Sequence, residues 1–312
     1  MRLCIVIVNY KTPGLVMDAL ASLVGQLDAT TDQVVVVDNA SGDDSPERIE
    51  AGIASRGYAA WAKLIRSDRN GGFSAGNNVG IRSCQARYYL LLNSDTIVRP
   101  GAIATLLAQA EAHPEVGISG PRLEWPDGSA QISAFRDHTP VSELLAAAKT
   151  GPLSKLLRSY EVAADVTDQS VQAQWVSFAC ALIRREVIEA IGLLDEGYFM
   201  YFEDADYCRA ARAAGFAIRY FPSAHVVHLR GGTSSVKRQV AARKRPPRYL
   251  YASRARYYRK GYGVSGLWAA NLLWHAGRTL SLGRELVGHK APHICEKEWR
   301  DNWTEAFRFF KS

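Results

Sequence analysis

Short unbroken apolar runs alternate with helical patterns through the first half of the 312-residue chain, and that alternation restricts the fold more than any other feature. Residues 3–8, 34–38, 62–66, 88–93 and 116–120 read as strands, with helices expected near 15–27, 46–54, 75–86 and 102–113. Strands taking turns with helices predict an α/β fold, a mainly parallel sheet flanked by helices. Open sheets of this kind bind ligands beyond the carboxyl ends of their strands. Those ends here are Asn9-Tyr10-Lys11, Asp38-Asn39-Ala40-Ser41, Asn70-Gly71-Gly72-Phe73 and Asn93-Ser94-Asp95, and every one is polar. A chain of this length buries a full core, as one large domain or one domain with an appendage. Its N-terminal apolar run is too short for a signal-peptide core. Five cysteines without C-x-x-C spacing suit reduced thiols in a cytosol rather than a zinc site or a disulfide frame.

Asp38 follows four consecutive valines. A carboxylate there suits a ribose or base edge, and Asp-Asn-Ala-Ser suits a turn equally well. Glycines in Asn70-Gly-Gly-Phe-Ser-Ala-Gly-Asn-Asn let backbone approach a ligand, and the helix that follows can aim its first amides at phosphate. No G-x-G-x-x-G follows the first strand and no G-x-x-x-x-G-K-[ST] occurs, which argues against a dinucleotide enzyme and a P-loop NTPase. Asp95, two residues past a buried strand, can hold a hard divalent cation with the help of water and a diphosphate. His228 is either a further ligand, tilting the choice from Mg²⁺ toward Mn²⁺, or a structural histidine at a strand end. Glu203, Asp204 and Asp206 crowd the start of a helix expected over 204–214, where acidic residues suit the macrodipole and where chemistry can also use them. Trp175 opens a stretch over 175–185 that reads as one core strand entering a short helix at 186–191, and it borders a sugar pocket or packs in the core. Pro126-Asp127-Gly128 marks a hairpin turn. Residues 141–168 carry no readable motif and are taken as a mobile or specificity segment.

The formal charge of +7 belongs to the C-terminal third, because no Asp or Glu occurs between Asp206 and Glu285. A basic surface attracts nucleic acid, anionic lipid or phosphorylated substrates without choosing among them. Residues 267–286 contain Asn271, His275, Arg278 and Arg284, too polar for a membrane span, and suit an amphipathic helix on a bilayer or on the rest of the protein. Phe307, Phe309 and Phe310 suit docking or dimer formation.

Val8-Asn-Tyr-Lys, Val37-Asp-Asn-Ala-Ser, Asn70-Gly-Gly-Phe-Ser-Ala-Gly-Asn-Asn, Leu92-Asn-Ser-Asp, Arg184-Arg-Glu, Phe202-Glu-Asp-Ala-Asp and Val226-Val-His, in this order, resemble family 2 glycosyltransferases of the Rossmann-like GT-A fold. The resemblance spans about residues 2–232 and is greatest to bacterial rhamnosyltransferases and galactofuranosyltransferases. It implies a catalytic domain over 1–232, with a nucleotide half over 1–121 and an acceptor half over 122–232. A helical C-terminal region over 233–312 would be associated with membrane or acceptor. The resemblance assigns Asp204 as general base and Glu203 as its partner or an acceptor ligand. Asn9, Tyr10, Asp38, Asn39, Gly71, Gly72, Phe73, Asn77, Asn93 and Asp95 fall to the nucleotide-sugar donor, Trp175 and Asp206 to the acceptor or, for Asp206, to orienting the helix, and Asp95 with His228 to the metal. Asn93 departs from the family's Asp-x-Asp pattern and lowers the charge of that site.

The reaction so implied is inverting transfer of a sugar, rhamnose from dTDP-rhamnose by resemblance with UDP- and GDP-sugars open. The acceptor expected is a glycan or polyprenyl-diphosphate-linked saccharide in cell-surface polysaccharide synthesis. The expected place is the cytoplasmic membrane's inner face, with peripheral membrane contact and no nucleic acid. A sugar nucleotidyltransferase and a non-catalytic membrane- or nucleic-acid-binding module are the competing readings. The first would need a basic, glycine-rich activating loop near the first strand, for which Lys11-Thr-Pro-Gly is a poor candidate.

Overall fold

The computed structural model describes residues 1–230, 236–288 and 292–307. In chain order, β1 (Leu3–Asn9), α1 (Pro13–Leu23), β2 (Asp32–Asp38), α2 (Ser45–Ser55), β3 (Ala62–Arg66), α3 (Gly72–Arg82), β4 (Tyr88–Asn93), β5 (Thr96–Val98), α4 (Ala102–Ala112) and β6 (Val116–Glu124) build the first half. Then come β7 (Ala134–Phe135), α5 (Pro140–Ala148), α6 (Gly151–Leu156), β8 (Val171–Gln172), β9 (Trp175–Val176), β10 (Cys180–Arg184), α7 (Arg185–Ile191), α8 (Glu203–Ala213) and β11 (Ala217–His228). The main sheet runs β3-β2-β1-β4-β10-β6-β11-β5, with β8 on β11. Its first four strands are mutually parallel, as expected.

The apolar runs are unbroken because both faces of the sheet are covered. Cys4, Val6, Val35, Val37, Tyr89 and Leu91 enter one core, while Leu3, Ile5, Ile7, Val34, Val36 and Leu90 enter the other. Successive residues of a strand point to opposite faces, so a strand covered on both sides has no place for alternation with polar residues. All four valines of β2 are fully buried, each contributing about 1.5–3 kcal/mol.

Three differences from expectation matter for the site. The stretch over 175–185 is two strands: β9 pairs with β7 in a separate ribbon, and β10 inserts antiparallel between β4 and β6. A turn redirects the chain between them, closed by Ser177, whose hydroxyl and carbonyl accept from the N–H groups of Ala179 and Cys180. The strand β11 was expected only at its end, which carries His228 against Thr96 of β5, and not over its full length. The segment over 141–168 contains α5 and α6, and α5 starts on a capping box between Thr139 and Ser142. The hairpin turn at 126–128 is present, with Trp125 N–H bonded to Ser129 O.

Beyond α9 (Val236–Ala241), α10 (Arg248–Gly288) is broken at Gly263, whose φ of 70° and ψ of −174° leave the helical region; α11 (Glu298–Asp301) follows. Arg254 Nη1 donates to Asn271 Oδ1 at 2.7 Å across the break. A straight helix would hold those positions about 25 Å apart at its usual rise per residue, so the chain reverses at Gly263. Of the two expected arrangements for this region, packing on the rest of the protein is observed. α10 lies on α5, where a Cβ on Gly277 would overlap the carbonyl of Leu144. Arg254 and Tyr258 hold Glu143 at 3.1 and 2.8 Å. The boundary expected at residue 232, together with Phe309 and Phe310, lies outside the described residues. Phe307 is 60% exposed and stacks on Trp303. All five cysteines are buried and free.

Candidate active site

The parallel register aligns Asn9 with Asp38 and Val8 with Asn93, so three strands end together. At that edge Asp38 is held inside a turn. Its carboxylate accepts from Asn9 Nδ2 at 2.7 Å, Ser41 Oγ at 2.6 Å and the Ser41 N–H at 3.1 Å. The adjoining Asn39 reaches outward, donating to Asn70 Oδ1 and the Gly72 carbonyl at 2.9 and 3.0 Å. The glycine-rich loop is thereby tied to the end of β2.

Several glycines of that stretch are required by packing. A Cβ on Gly76 or Gly80 would run into Val8 or Val6, so these two seat α3 flat on β1. Gly72, with φ of 83°, lies under Phe199, and a Cβ there would overlap the Phe199 carbonyl. The first amides of α3 do not face phosphate: Gly72 N–H donates to Asn70 Oδ1 at 3.0 Å and Phe73 N–H to Phe199 O at 2.7 Å.

Phe199 begins the approach to α8. Tyr201 and Phe202 both adopt left-handed backbone, with φ of 71° and 68°. Two bulky residues in that region cost about 1–3 kcal/mol each, a strain that clusters at functional sites. The bend sends Glu203 and Asp204 into a cleft of 510 Å³. Burial raises the Asp204 carboxyl to about 6, although the N–H groups of Ala205, Phe178 and Asp204 itself favour its charge. Burial, and then the charge of Asp204, push Glu203 well above the usual carboxylate range. Glu203 Oε2 is buried with no hydrogen-bond partner. Two carboxyls that share a buried site resist ionising together, and Glu203 feels the charge of Asp204 in addition to its burial.

Asp206 is two residues beyond Asp204, about 200° around the helix at the α-helical period. It does not reach the cleft. Arg209 at 2.7 Å and Lys260 at 2.5 Å hold it, which fastens α8 to α10. Of the two roles expected of Asp206, these contacts are those of the one that orients the helix.

Asp95 and His228 share the cleft with Glu203 and Asp204. Pairing of β5 with β11 brings Asp95 Oδ1 to 3.5 Å from His228 Nε2, too long for a strong hydrogen bond and suited to two atoms touching one cation. Among the described residues no group of three His, Cys, Asp or Glu could hold a metal. The donor set present, one carboxylate and one imidazole, fits a divalent ion whose remaining positions go to a diphosphate and water.

Tyr10, Asn39, Gly72, Phe73, Asn93 and Trp175 also line the cleft, whereas Asn9, Asp38, Gly71 and Asn77 do not. Asn77 bonds the Phe73 carbonyl at 2.9 Å within its own helix. Trp175 stacks on Phe135 with ring centroids 4.0 Å apart and donates its indole N–H to Arg136 O at 2.8 Å.

Arg230 and Tyr249 are among the lining residues that carry no expectation from sequence. Arg230 follows His228 by two positions, is anchored by Gln131 and lies over the Trp125 ring at 5.5 Å. Tyr249 arrives from α10 and packs on Phe199, centroids 5.0 Å apart. The position of Arg230 two residues after His228 was a usable signal; Tyr249 had none, since its partner is fifty residues away in sequence.

The family model for Glycosyl transferase family 2 matches residues 4–192. The chain is 29% identical over 206 residues to the N-acetylglucosaminyl-diphospho-decaprenol L-rhamnosyltransferase of Mycobacterium tuberculosis, covering 64% of this chain and 63% of that protein. Among solved structures, GalNAc-T7 with UDP, GalNAc and Mn²⁺ superposes with a TM-score of 0.58 at 13% identity, over 93% of this chain and 59% of that one. The mannosyltransferase PcManGT of Pyrobaculum calidifontis, with GDP-Man and Mn²⁺, gives 0.52 at 15% identity, over 98% and 85%. The chain thus spans less than two thirds of the length of the rhamnosyltransferase and of GalNAc-T7. At these identities the structural likeness carries the fold, and that fold is GT-A.

Proposed function

We propose that this chain, which belongs to glycosyl transferase family 2, moves a sugar from a nucleoside diphosphate to an acceptor hydroxyl with inversion at the anomeric carbon. The observation that carries the reading is one cleft holding both the Glu203–Asp204 pair and the Asp95–His228 pair. A group poised near 6 is mostly ionised at neutral pH and still accepts a proton readily. Asp204 takes the hydroxyl proton as the acceptor oxygen bonds to the anomeric carbon, and the bond from that carbon to the diphosphate breaks. Glu203, kept protonated, donates a hydrogen bond to the acceptor. Trp175 and Phe135 offer apolar faces to a sugar ring. Asp95 and His228 would hold the divalent ion, Mn²⁺ or Mg²⁺, which when bound neutralises charge on the leaving diphosphate. Arg230 adds a fixed positive charge in the same cleft, which can meet the diphosphate directly.

Similarity to a decaprenol-linked rhamnosyltransferase supports a dTDP-rhamnose donor and a polyprenyl-diphosphate-linked acceptor, met at the inner face of the cytoplasmic membrane. The test is release of nucleoside diphosphate from dTDP-rhamnose, UDP- and GDP-sugars, with and without a lipid-linked saccharide. Release that depends on the acceptor supports transfer. Formation of a nucleotide sugar from sugar phosphate would instead make the chain a nucleotidyltransferase, and binding without turnover a non-catalytic module.

A further inference from the structure

The second half of α10 buries Leu267, Ala270 and Trp274, yet it also turns polar residues inward and leaves large apolar ones outside. Asn271, Arg278, Ser281 and Glu285 face the protein and are buried. Leu272 (58% exposed), Leu280 (53%), Leu286 (75%) and Val287 (86%) face outward. A helix at a protein surface ordinarily does the reverse, and a contiguous exposed apolar ridge marks a contact with something else. Positions 272, 276, 280, 283 and 287 follow one another at three- and four-residue steps, so the ridge runs straight along the helix. Trp268, one turn earlier, extends it toward exposed Phe307, their centroids 5.3 Å apart.

Charge selects the partner. The only carboxylate in α10 is Glu285, buried and committed to Arg278 at 2.7 and 2.9 Å and to His293 at 3.1 Å. The outward face of the helix therefore carries no negative charge. Arg284 borders the ridge and bonds the carbonyl of Lys149, which brings the start of α6 alongside; α6 ends in exposed Lys155 and Leu156, the latter 79% exposed. Apolar side chains rimmed by cations without carboxylates suit the interface of an anionic bilayer. A second copy of the chain would bring like charge against like. No helix among the described residues is long and apolar enough to cross a membrane, so the ridge would lie in the interface.

We infer that the outward ridge of α10 docks the protein on an anionic phospholipid bilayer. Reversal at Gly263 sets Arg254 beside Asn271, and the same pairing brings Tyr249 of the cleft to the level of Ala276 on the ridge. Docking there keeps the cleft close to the headgroups. The inference rests on the proposed function for its purpose, a membrane-held acceptor, and on the ridge for its location.

The experiment floats the full chain with vesicles of phosphatidylcholine alone or mixed with phosphatidylglycerol, comparing wild type with Leu272→Ser/Leu280→Ser/Leu286→Ser. All three positions are exposed, and an unchanged thermal melt checks the fold. Expected is partition onto the anionic vesicles that falls about ten-fold or more in the triple variant. Release of nucleoside diphosphate with a water-soluble acceptor should be unchanged, while transfer to a lipid-linked one falls. Equal partition of both proteins overturns the inference, as does a wild-type dimer that the triple variant dissolves while neither binds vesicles. Loss of flotation in the triple variant, with no turnover of any nucleotide sugar by either protein, upholds docking and overturns the proposed function.

Discussion

Replacing Asp204 with Asn should make the protein more stable and far less active. Folding moves this carboxyl from 3.8 to about 6, chiefly through burial. At about 1.4 kcal/mol per pH unit, an ionised Asp204 costs the folded state on the order of 3 kcal/mol. The folded state binds the proton more tightly than the unfolded chain, so this contribution favours folding at low pH and is lost as pH rises from about 4 to about 6. Asn has the shape without the charge. At pH 8 the variant should melt higher, by about 5 °C for a chain of this size, and the advantage should vanish below about pH 4. Turnover should fall by about 10²–10⁴, the usual contribution of a general base. The wild-type kcat/KM profile should lose activity below about pH 6, tenfold per unit, and the residual activity of the variant should lack that limb. Calorimetry across pH and a nucleoside diphosphate release assay give both readings. An Asn variant no more stable than wild type at pH 8 would refute the burial argument, and one that turned over normally would refute the assignment of the base.

Gly72→Ala should lower stability by about 2 kcal/mol or more, because the new methyl meets the Phe199 carbonyl at a left-handed backbone position; urea melts check this, and turnover should fall with it. His228→Ala should weaken Mn²⁺-dependent donor binding while leaving binding in EDTA almost unchanged, as measured by calorimetric titration. Arg230→Gln should weaken binding of a nucleoside diphosphate about tenfold in EDTA as well as in Mn²⁺, because its charge does not depend on the ion. Asp206→Asn should cost about 1–3 kcal/mol by leaving Arg209 and Lys260 without their shared anion, with donor affinity unchanged.

How far the sequence spoke depended on the range of the interactions. The parallel half of the sheet was legible because β1, β2 and β4 are buried on both faces and so are written as unbroken apolar runs. The antiparallel insertion of β10 was not, since a buried strand has the same composition in either direction. Asp95 and His228 could be singled out as residues after apolar runs, but only the pairing of β5 with β11 brings them within 3.5 Å. The helical period already separated Asp206 from Asp204, a signal present in the sequence. The basic surplus of the C-terminal third was legible only as a total: Arg254, Arg256 and Lys260 turn toward Glu143 and Asp195, and counting charges does not reveal which are paired.

Those ion pairs also join segments of the chain that are made at different times. Glu143 and Asp195 are translated well before Arg254, Arg256 and Lys260, which neutralise them, and α5 is made well before the helix that covers it. While the ribosome is still making α10, the sheet can assemble but the rear of the molecule stays open to water, with its acids unmatched. Cover for α5 and partners for those acids arrive together, with α10.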